Sequence, residues 1–281
     1  MTVTLITGAA SGIGAATAKR IAGPGRQLML HSRSNKEGLN QVAAAVVDSG
    51  SSVEIILGDL SDGIFADSLV GEIVERFGGL DQIVSNAGFA DRRLFGEVDT
   101  ESLAKAYRGM PEAFFRMATN AIPYIKGSDC GRVVALSSFV AHVYDADGLF
   151  PATAAAKASI EALAKSLAVQ LAPDGVTVNC VAPGYTMKDA SGHSALPDDA
   201  WINAAAKSPM GRIGTPDDVA ELIAFLLSDG AGNFLTQKSF YRVTESIGEN
   251  RPNSYDLNFF SLDLVREARN NKSYDDISVA I

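Results

Sequence analysis

Three glycines lie close together near the start of the chain, at a corner suited to binding phosphate. Gly8, Gly12 and Gly14 follow a short apolar run and precede a helical pattern. Glycine lets the backbone turn sharply and approach a diphosphate with no Cβ in the way. The helix that begins near Gly12 directs free N–H groups and its positive dipole end at that anion. With Ser11 and Ile13, these residues are predicted to bind a dinucleotide, a tight turn of small residues being the alternative.

The end of the second predicted strand carries residues that distinguish the two nicotinamide dinucleotides. A site for NAD usually has a carboxylate here, which bonds the ribose hydroxyls and would repel a 2′-phosphate. Ser32 holds that place, and Arg33 follows with a planar guanidinium suited to phosphate. The pair favours NADP as the cofactor over NAD. If Arg33 is instead a solvated loop charge, little preference between the two is expected.

Short apolar runs alternate with longer helical patterns along most of the chain. The predicted strands cover residues 3–6, 27–31, 53–57, 82–84, 132–136 and 177–181. The predicted helices cover residues 12–22, 36–49, 65–77, 100–126, 154–171 and 216–227. This alternation predicts βαβ units, and therefore a Rossmann-type doubly wound parallel sheet in a single three-layer α/β/α domain. Ligands bind beyond the carboxyl ends of such strands, where the motifs of this chain fall.

Short motifs after successive strands resemble those of the short-chain dehydrogenase/reductase family over about residues 1–237. They are the glycine turn, Asp59-Leu60, Ser85-Asn86-Ala87-Gly88, Ser137-Ser138 and Pro183-Gly184-Tyr185-Thr186. The resemblance implies hydride transfer between a nicotinamide cofactor and a small carbonyl or alcohol substrate. It implies a set of further cofactor-binding residues: Asp59 and Leu60 against the adenine, Asn86, Ala87 and Gly88 along the middle of the cofactor, and Pro183, Gly184 and Thr186 at the nicotinamide.

The family's reaction centre combines a tyrosine, a lysine four residues later, a serine and an asparagine. The resemblance implies that Ser138 binds the substrate carbonyl and that Lys157 bonds the nicotinamide ribose. Thr153 stands at the tyrosine position and Met110 at the asparagine position. Pro111 follows and should perturb the predicted helix there. An aliphatic hydroxyl is shorter than a phenol and a far weaker acid, so Thr153 can bond a carbonyl but donates a proton poorly.

The loop before residue 151 offers two side chains that could replace the missing acid. Tyr144 or His142 could reach over the nicotinamide, and the alternative is that both are ordinary loop residues. General acid–base catalysis contributes about 10²–10⁴-fold. The leading prediction is an NADP-dependent oxidoreductase with an altered proton-donor site. Its alternatives are a catalytically silent NAD(P)-binding protein with a regulatory or oligomer-partner role, and a lyase or isomerase that keeps the cofactor as structure.

Composition argues against several other classes of function. The net charge of −9 and the pI near 4.9 disfavour nucleic-acid and anionic-membrane surfaces. Cys130 and Cys180 are far apart and the histidines follow no ligand spacing, so neither a disulfide framework nor a metal site is predicted. No signal peptide is recognised, and no run approaches the ~18 apolar residues of a membrane span. These observations predict a cytoplasmic protein.

The composition changes after about residue 237. We therefore predict a dinucleotide-binding domain over residues 1–238 and an atypical C-terminal extension over residues 239–281, which is rich in Asn, Ser, Arg and Asp. The family's closing strand begins near Gln237 but lacks its usual glycine and its usual ending. The predicted helices 100–126 and 154–171 resemble the family's dimer-forming pair. A homodimer or homotetramer is expected.

Overall fold

The computed structural model describes residues 1–144, 149–187, 201–202, 205–206, 208 and 210–232, with the backbone of residues 241–243. Its strands are β1 Thr2–Ile6, β2 Arg26–Ser32, β3 Ser52–Leu57, β4 Gln82–Ser85, β5 Arg132–Leu136, β6 Thr177–Pro183 and β7 Tyr241–Val243. Its helices are α1 Gly12–Ile21, α2 Lys36–Asp48, α3 Gly63–Phe77, α4 Thr100–Tyr107, α5 Ala113–Ile125, α6 Pro151–Leu171 and α7 Pro216–Leu227. The predicted strands are confirmed, and so are the predicted helices other than that over residues 100–126, with ends that differ by a few residues.

The described strands form one parallel sheet in the order β3-β2-β1-β4-β5-β6-β7. β1 lies between β2 and β4, pairing Leu5 with Met29 on one side and with Ile83 on the other. The chain therefore winds outward in one direction from β1 and in the opposite direction from β4. The change of direction opens a crevice at the carboxyl ends of these two strands, where ligands bind in sheets of this kind.

Helices cover both faces of the sheet, because neighbouring strand residues point to opposite faces. Leu5 belongs to the core on one face, and its neighbour Ile6 belongs to the core on the other. The first core includes Phe114 from α5 and Ile160 from α6, whereas the second includes Ala18 from α1, with Leu39 from α2 and Ile223 from α7. This arrangement is the predicted three-layer α/β/α Rossmann-type fold.

The long helix predicted over residues 100–126 is interrupted. A π-helical turn, Arg108–Glu112, separates α4 from α5, and Pro111 lies inside it. The N–H of Ala113 donates to the carbonyl of Arg108, five residues earlier. Proline has no N–H and its ring crowds the preceding turn, so an α-helix cannot pass through it without distortion. The perturbation predicted beside Met110 is confirmed.

The short strand β7 joins the edge of the sheet, pairing Val181 with Tyr241 and Pro183 with Val243. It falls within residues 239–281, and the rest of that segment lies outside the described residues. The division into a domain and an extension therefore stays a prediction. No helix among the described residues combines the length and apolar character needed to cross a bilayer. The described residues contain no cluster of His, Cys, Asp and Glu that could hold a metal ion.

Candidate active site

A cavity of about 570 Å³ opens at the carboxyl ends of the central strands. Most of the predicted site residues line it: Gly8, Ile13, Ser32, Arg33, Asp59, Leu60, Asn86, Ala87, Gly88, Ser138, Thr153, Lys157, Pro183, Gly184 and Thr186. Ser11, Gly12 and Gly14 belong to the turn at its edge, and Tyr144 does not line it. The fold thus brings residues from distant parts of the sequence to one crevice.

The turn between β1 and α1 can be made only with glycine at specific positions. Gly8 and Gly12 have φ angles of 66° and 55°, which residues with a Cβ rarely adopt. A Cβ on Gly14 would lie 2.3 Å from the carbonyl oxygen of Gly8. The third glycine therefore lets the helix pack closely against the turn.

Side chains from the end of β4 hold this turn in place. The amide of Asn86 donates to the carbonyl oxygens of Thr7 and Gly8, over 2.9 and 3.1 Å. The hydroxyl of Thr7 accepts from the backbone N–H groups of Asn86 and Ala87, each over 3.0 Å. Asn86, predicted to line the cofactor's middle, thus also fastens the glycine turn to the neighbouring strand.

The N-terminus of α1 has no side-chain cap. Asn35, Asp62 and Asp99 cap α2, α3 and α4 through side-chain hydrogen bonds, whereas Ser11 at the start of α1 makes no such bond. The first turn of α1 also contains no acidic residue. An uncapped helix N-terminus binds anions through its N–H groups and dipole. This geometry fits the diphosphate of a dinucleotide.

Basic side chains surround the end of β2, the predicted position of the cofactor's 2′-phosphate. Arg33 and Lys105 line the cavity on this side and act electrostatically on Asp59. Burial opposes ionisation of Asp59, but hydrogen bonds from Ser61 and these two cations keep its pKa below the usual value. Ser32 lies nearby, with its hydroxyl accepting from the N–H of Asn35 over 3.4 Å. The end of β2, residues 30–33, contains no acidic side chain.

The segment after β6 is held by the residues that precede α7. Backbone hydrogen bonds of 2.8 Å run from Gly214 N to the carbonyl of Tyr185 and from Met187 N to the carbonyl of Gly214. Thr186 lies between these bonds, with its hydroxyl donating to the carbonyl of Gly184 over 3.1 Å. The predicted nicotinamide-binding segment is thereby fixed against the cavity.

Lys157 is a buried cation in the cavity wall. Its Nζ donates to the carbonyl oxygen of Leu136, at the end of β5, over 2.5 Å. A Cβ on Gly88 would lie 3.2 Å from this Nζ and 3.3 Å from the sulfur of Met110. Burial lowers the pKa of Lys157 to about 8, although the nearby groups of Cys180 and Glu161 act to raise it. A lysine in this state exchanges its proton close to neutral pH.

Comparison with known proteins assigns this arrangement to a family. Residues 8–241 match the family model described as enoyl-(acyl carrier protein) reductase, a span that includes the glycine turn and the cavity. The chain belongs to the short-chain dehydrogenase/reductase family. Members of this family bind a nicotinamide cofactor, and the open helix N-terminus, the glycine turn and the basic side chains around Ser32 fit such a group.

Named relatives of this short-chain dehydrogenase/reductase are dehydrogenases. Cis-4-hydroxycyclohexanecarboxylate dehydrogenase of Sinomonas cyclohexanicum is 35% identical over 82% of this chain and 90% of the relative. The 2,5-dichloro-2,5-cyclohexadiene-1,4-diol dehydrogenase of Sphingobium indicum is 31% identical over 82% of this chain and 90% of the relative. A crystal structure of a short-chain dehydrogenase from Burkholderia cenocepacia in complex with NADP superimposes with a TM-score of 0.75, at 29% identity, over 83% of this chain and 93% of the other.

Thr153, predicted at the family's tyrosine position, is tied to the loop after β4. Its Oγ1 accepts a hydrogen bond of 2.8 Å from the backbone N–H of Asp91. The side chain is buried yet lines the cavity beside Ser138. Ser138 caps a short 3-10 turn, its hydroxyl accepting from Val140 N over 3.4 Å. Each hydroxyl therefore uses a lone pair for the fold and keeps its proton for another acceptor.

The two stand-in acids considered from the sequence lie away from the cavity. Tyr144 is 65% exposed, and its hydroxyl donates to the carbonyl of Ala141 over 3.3 Å. His142 is not among the residues that line the cavity, and its Nε2 lies 2.7 Å from Oε1 of Glu161. Neither side chain is therefore among the described residues that line the cavity with Thr153 and Lys157.

A buried carboxylate that sequence reasoning missed lies one helical turn after Lys157. Glu161 accepts a hydrogen bond from the hydroxyl of Ser137 in addition to its contact with His142. The signal was the spacing of four residues on one helix, which places both side chains on the same face. Glu161 supplies a negative charge near the buried ammonium of Lys157.

Aromatic residues and further cations also line the cavity. The aromatic ones are Phe89, Phe139, Phe150, Tyr185 and Trp201. The rings of Phe139 and Tyr185 are in contact, with their centroids 4.7 Å apart and their planes tilted by 49°. Arg92 and Lys105 add positive charge. Apart from Tyr185, these residues belong to none of the short motifs, and the fold brings them to one cavity.

Proposed function

We propose that this chain is an NADP-dependent oxidoreductase that transfers a hydride between the nicotinamide and a small carbonyl or alcohol substrate, with an altered proton-donor site. One observation carries the proposal. Ser138, Thr153 and Lys157 line the same cavity as Gly8 and Arg33. The cavity thus contains both side chains that can bind a carbonyl oxygen or carry a proton and residues that can bind a dinucleotide.

The preference for NADP rests on charge. Arg33 has no hydrogen bond or ion pair to any described side chain, so its guanidinium is available for a 2′-phosphate. Ser32 replaces the carboxylate that would repel this phosphate. The NADP complex of the Burkholderia cenocepacia relative supports the same choice.

Proton transfer distinguishes this site from one with a tyrosine. When bound, the cofactor supplies or accepts the hydride. In the reducing direction the carbonyl oxygen must also gain a proton. We assign the hydroxyls of Ser138 and Thr153 to orienting this oxygen, and Lys157 to supplying the proton, because its pKa of about 8 lies near working pH. In the oxidising direction the neutral amine takes the proton back.

The substrate is proposed to contain a ring. Five aromatic side chains in the cavity wall offer flat apolar surfaces to a cyclic ligand. The names of the two relatives describe dehydrogenases of alcohols on six-membered rings. A cyclic ketone of this size is therefore the first substrate to test.

A homodimer or homotetramer is part of the proposal. Exposed apolar side chains lie on the helices predicted to pair, with Leu103 and Tyr107 on α4, Phe115 on α5 and Val169 on α6. A contact between two copies of the chain through these helices would bury such side chains. Sedimentation analysis of the purified chain gives the subunit count, and a monomer at all concentrations contradicts this part.

A catalytically silent dinucleotide-binding protein is the second candidate. Thr153 and Met110 favour it, because neither side chain is a good proton donor or relay. Such a protein would bind NADPH without using it.

Calorimetry and turnover separate these candidates. We expect NADPH to bind at least about tenfold more tightly than NADH, since one charged hydrogen-bonding group contributes about 1.5–3 kcal/mol. We then expect measurable reduction of 4-methylcyclohexanone by the unmodified chain. Activity that appears only in Thr153→Tyr supports the silent candidate instead. No affinity for either dinucleotide overturns both.

A further inference from the structure

A second cation in the cavity lacks a partner. Of the arginines that the structure describes, all but Arg33 and Arg92 make a side-chain hydrogen bond or ion pair to a described residue. Both of these line the cavity. The contrast with Arg93 is direct, because its guanidinium binds both carboxylate oxygens of Asp91, over 3.0 and 2.6 Å. The carboxylate of Asp91 is thus bound to Arg93, and it makes no such bond to Arg92.

The backbone just before Arg92 is bonded to a residue of the predicted reaction centre. The N–H of the preceding residue, Asp91, is bonded to Oγ1 of Thr153 over 2.8 Å, which fixes the start of this segment against α6. Arg33 follows β2 instead, and β1 lies between β2 and β4 in the sheet. Arg33 and Arg92 therefore follow different strands. Of the two, Arg92 is the one that follows a residue bonded to Thr153.

The charges of a bound NADP do not account for Arg92. The cavity's basic residues are Arg33, Arg92, Lys105 and Lys157, and Asp59 is the acidic one among the described lining residues. Arg33 and Lys105 act together on Asp59 at the end predicted to hold the adenosine phosphate. Lys157 is buried against the end of β5. Arg92 is exposed at the cavity, so its guanidinium is accessible to an anionic ligand that enters there.

We propose that Arg92 binds the carboxylate of the substrate, so that the chain acts on cyclic keto acids or hydroxy acids rather than on neutral ketones and alcohols. This inference rests on the proposed oxidoreductase function. A guanidinium binds a carboxylate through two parallel hydrogen bonds. The aromatic walls contact the ring, while Arg92 holds the acid group and orients the opposite end of the ring toward Ser138 and Thr153.

The test compares an acid with its own ester. With NADPH, the unmodified chain is expected to have a KM for 4-oxocyclohexanecarboxylate about tenfold or more below that for its methyl ester, since hydrogen bonds to charged groups contribute about that factor. Arg92→Gln should raise the KM for the acid to that for the ester and leave the ester unchanged. Arg92→Lys should fall between, because an ammonium keeps the charge but loses the paired geometry.

Arg76→Gln is the control. It removes the same charge from α3, at an arginine that pairs with Glu72 and does not line the cavity, so it should change the KM for acid and ester by the same factor. An acid-to-ester ratio unchanged in Arg92→Gln overturns the proposal. Equal KM values for the acid and the ester in the unmodified chain overturn it as well. Weaker NADPH binding with an unchanged ratio would assign Arg92 to the cofactor instead.

A binding measurement keeps this proposal separate from the proposed function. The acid is titrated calorimetrically into the NADP⁺-saturated chain, which requires no turnover. Binding that is lost in Arg92→Gln and kept in Arg76→Gln supports the anion site even if no ketone is reduced. No binding of the acid to a chain that reduces neutral ketones overturns the anion site and leaves the oxidoreductase function standing.

Discussion

The hydroxyl of Thr153 accepts a hydrogen bond of 2.8 Å from the backbone N–H of Asp91, which joins α6 to the loop after β4 beside the cavity. Thr153→Val keeps the shape of the side chain and removes this acceptor and its proton. We expect kcat to fall by about 10- to 100-fold, since the lost group orients the carbonyl. Stability should fall by about 1 kcal/mol because the N–H of Asp91 loses its partner.

Thr153→Ser is the control for this substitution. It keeps a hydroxyl at the same position and should retain most of kcat and stability. Steady-state kinetics and thermal unfolding measure the two quantities. Equal kcat values in Thr153→Val and the unmodified chain would show that this hydroxyl takes no part in the reaction.

The cofactor preference is predicted to depend on Ser32 and Arg33. Arg33→Ala should weaken NADPH binding by about 10- to 100-fold and leave NADH binding nearly unchanged, because only NADPH has the 2′-phosphate. Ser32→Asp should weaken NADPH further and improve NADH, since a carboxylate repels the phosphate and accepts from ribose hydroxyls. Calorimetry with both dinucleotides measures these changes. An equal loss for NADPH and NADH in Arg33→Ala contradicts a specific phosphate contact.

The close packing at Gly14 is predicted to be essential for dinucleotide binding. In Gly14→Ala the new Cβ would meet the carbonyl oxygen of Gly8 at 2.3 Å, so the turn must shift. NADPH affinity should fall at least about tenfold, and the melting temperature should drop because overpacking costs about 1–3 kcal/mol.

Gly71 offers a matched control on α3, where a Cβ would meet nothing within 4 Å. Gly71→Ala should stabilise the chain by about 0.5–1 kcal/mol through helix propensity and leave NADPH affinity unchanged. If both alanine variants bind NADPH normally, the glycine turn does not hold the diphosphate as proposed.

The pH dependence of ketone reduction is predicted to follow Lys157. Its pKa is lowered to about 8, so the ammonium that supplies the proton is lost as pH rises through that value. The negative charge of Glu161 raises this pKa, and Glu161→Gln should therefore move the fall in kcat to lower pH. Glutamine keeps an acceptor for the hydroxyl of Ser137.

Glu221→Gln controls for the removal of a carboxylate elsewhere. Glu221 is exposed and pairs with Arg20 on α1, so its loss should leave the pH profile in place. Profiles of kcat from pH 6 to 10 for the three proteins test this prediction. A profile that moves upward in Glu161→Gln has the wrong sign and contradicts Lys157 as the proton source.

Much of the fold could be predicted from the sequence, because its signals are local. Apolar runs flanked by Gly, Asp or Ser predict strands buried on both faces, and a glycine at a strand end predicts a turn into a helix. A perturbation of the helix beside Met110 was predicted as well, since Pro111 has no N–H and its ring crowds the preceding turn. The kind of break, a π-turn, depends on how α4 and α5 pack and was not predicted.

The site could be predicted only in part. Ser138 and Lys157 follow short motifs, so their approach to one cavity was expected. Glu161, Arg92 and the aromatic walls follow no such motif. Tyr144 was considered as a replacement acid because it is close in sequence to the reaction centre, but its side chain is exposed to solvent in the folded chain.

By itself, the sequence determined the order of strands and helices, the position of the glycine turn and the basic end of the second strand, since each depends on neighbouring residues. The tertiary structure alone decided which side chains line the cavity together and which of them have no hydrogen-bonding partner. That decision depends on packing between residues far apart in the chain. The bond from Asp91 to Thr153 and the unpaired guanidinium of Arg92 exist only because α6 and the loop after β4 meet at the same edge of the sheet.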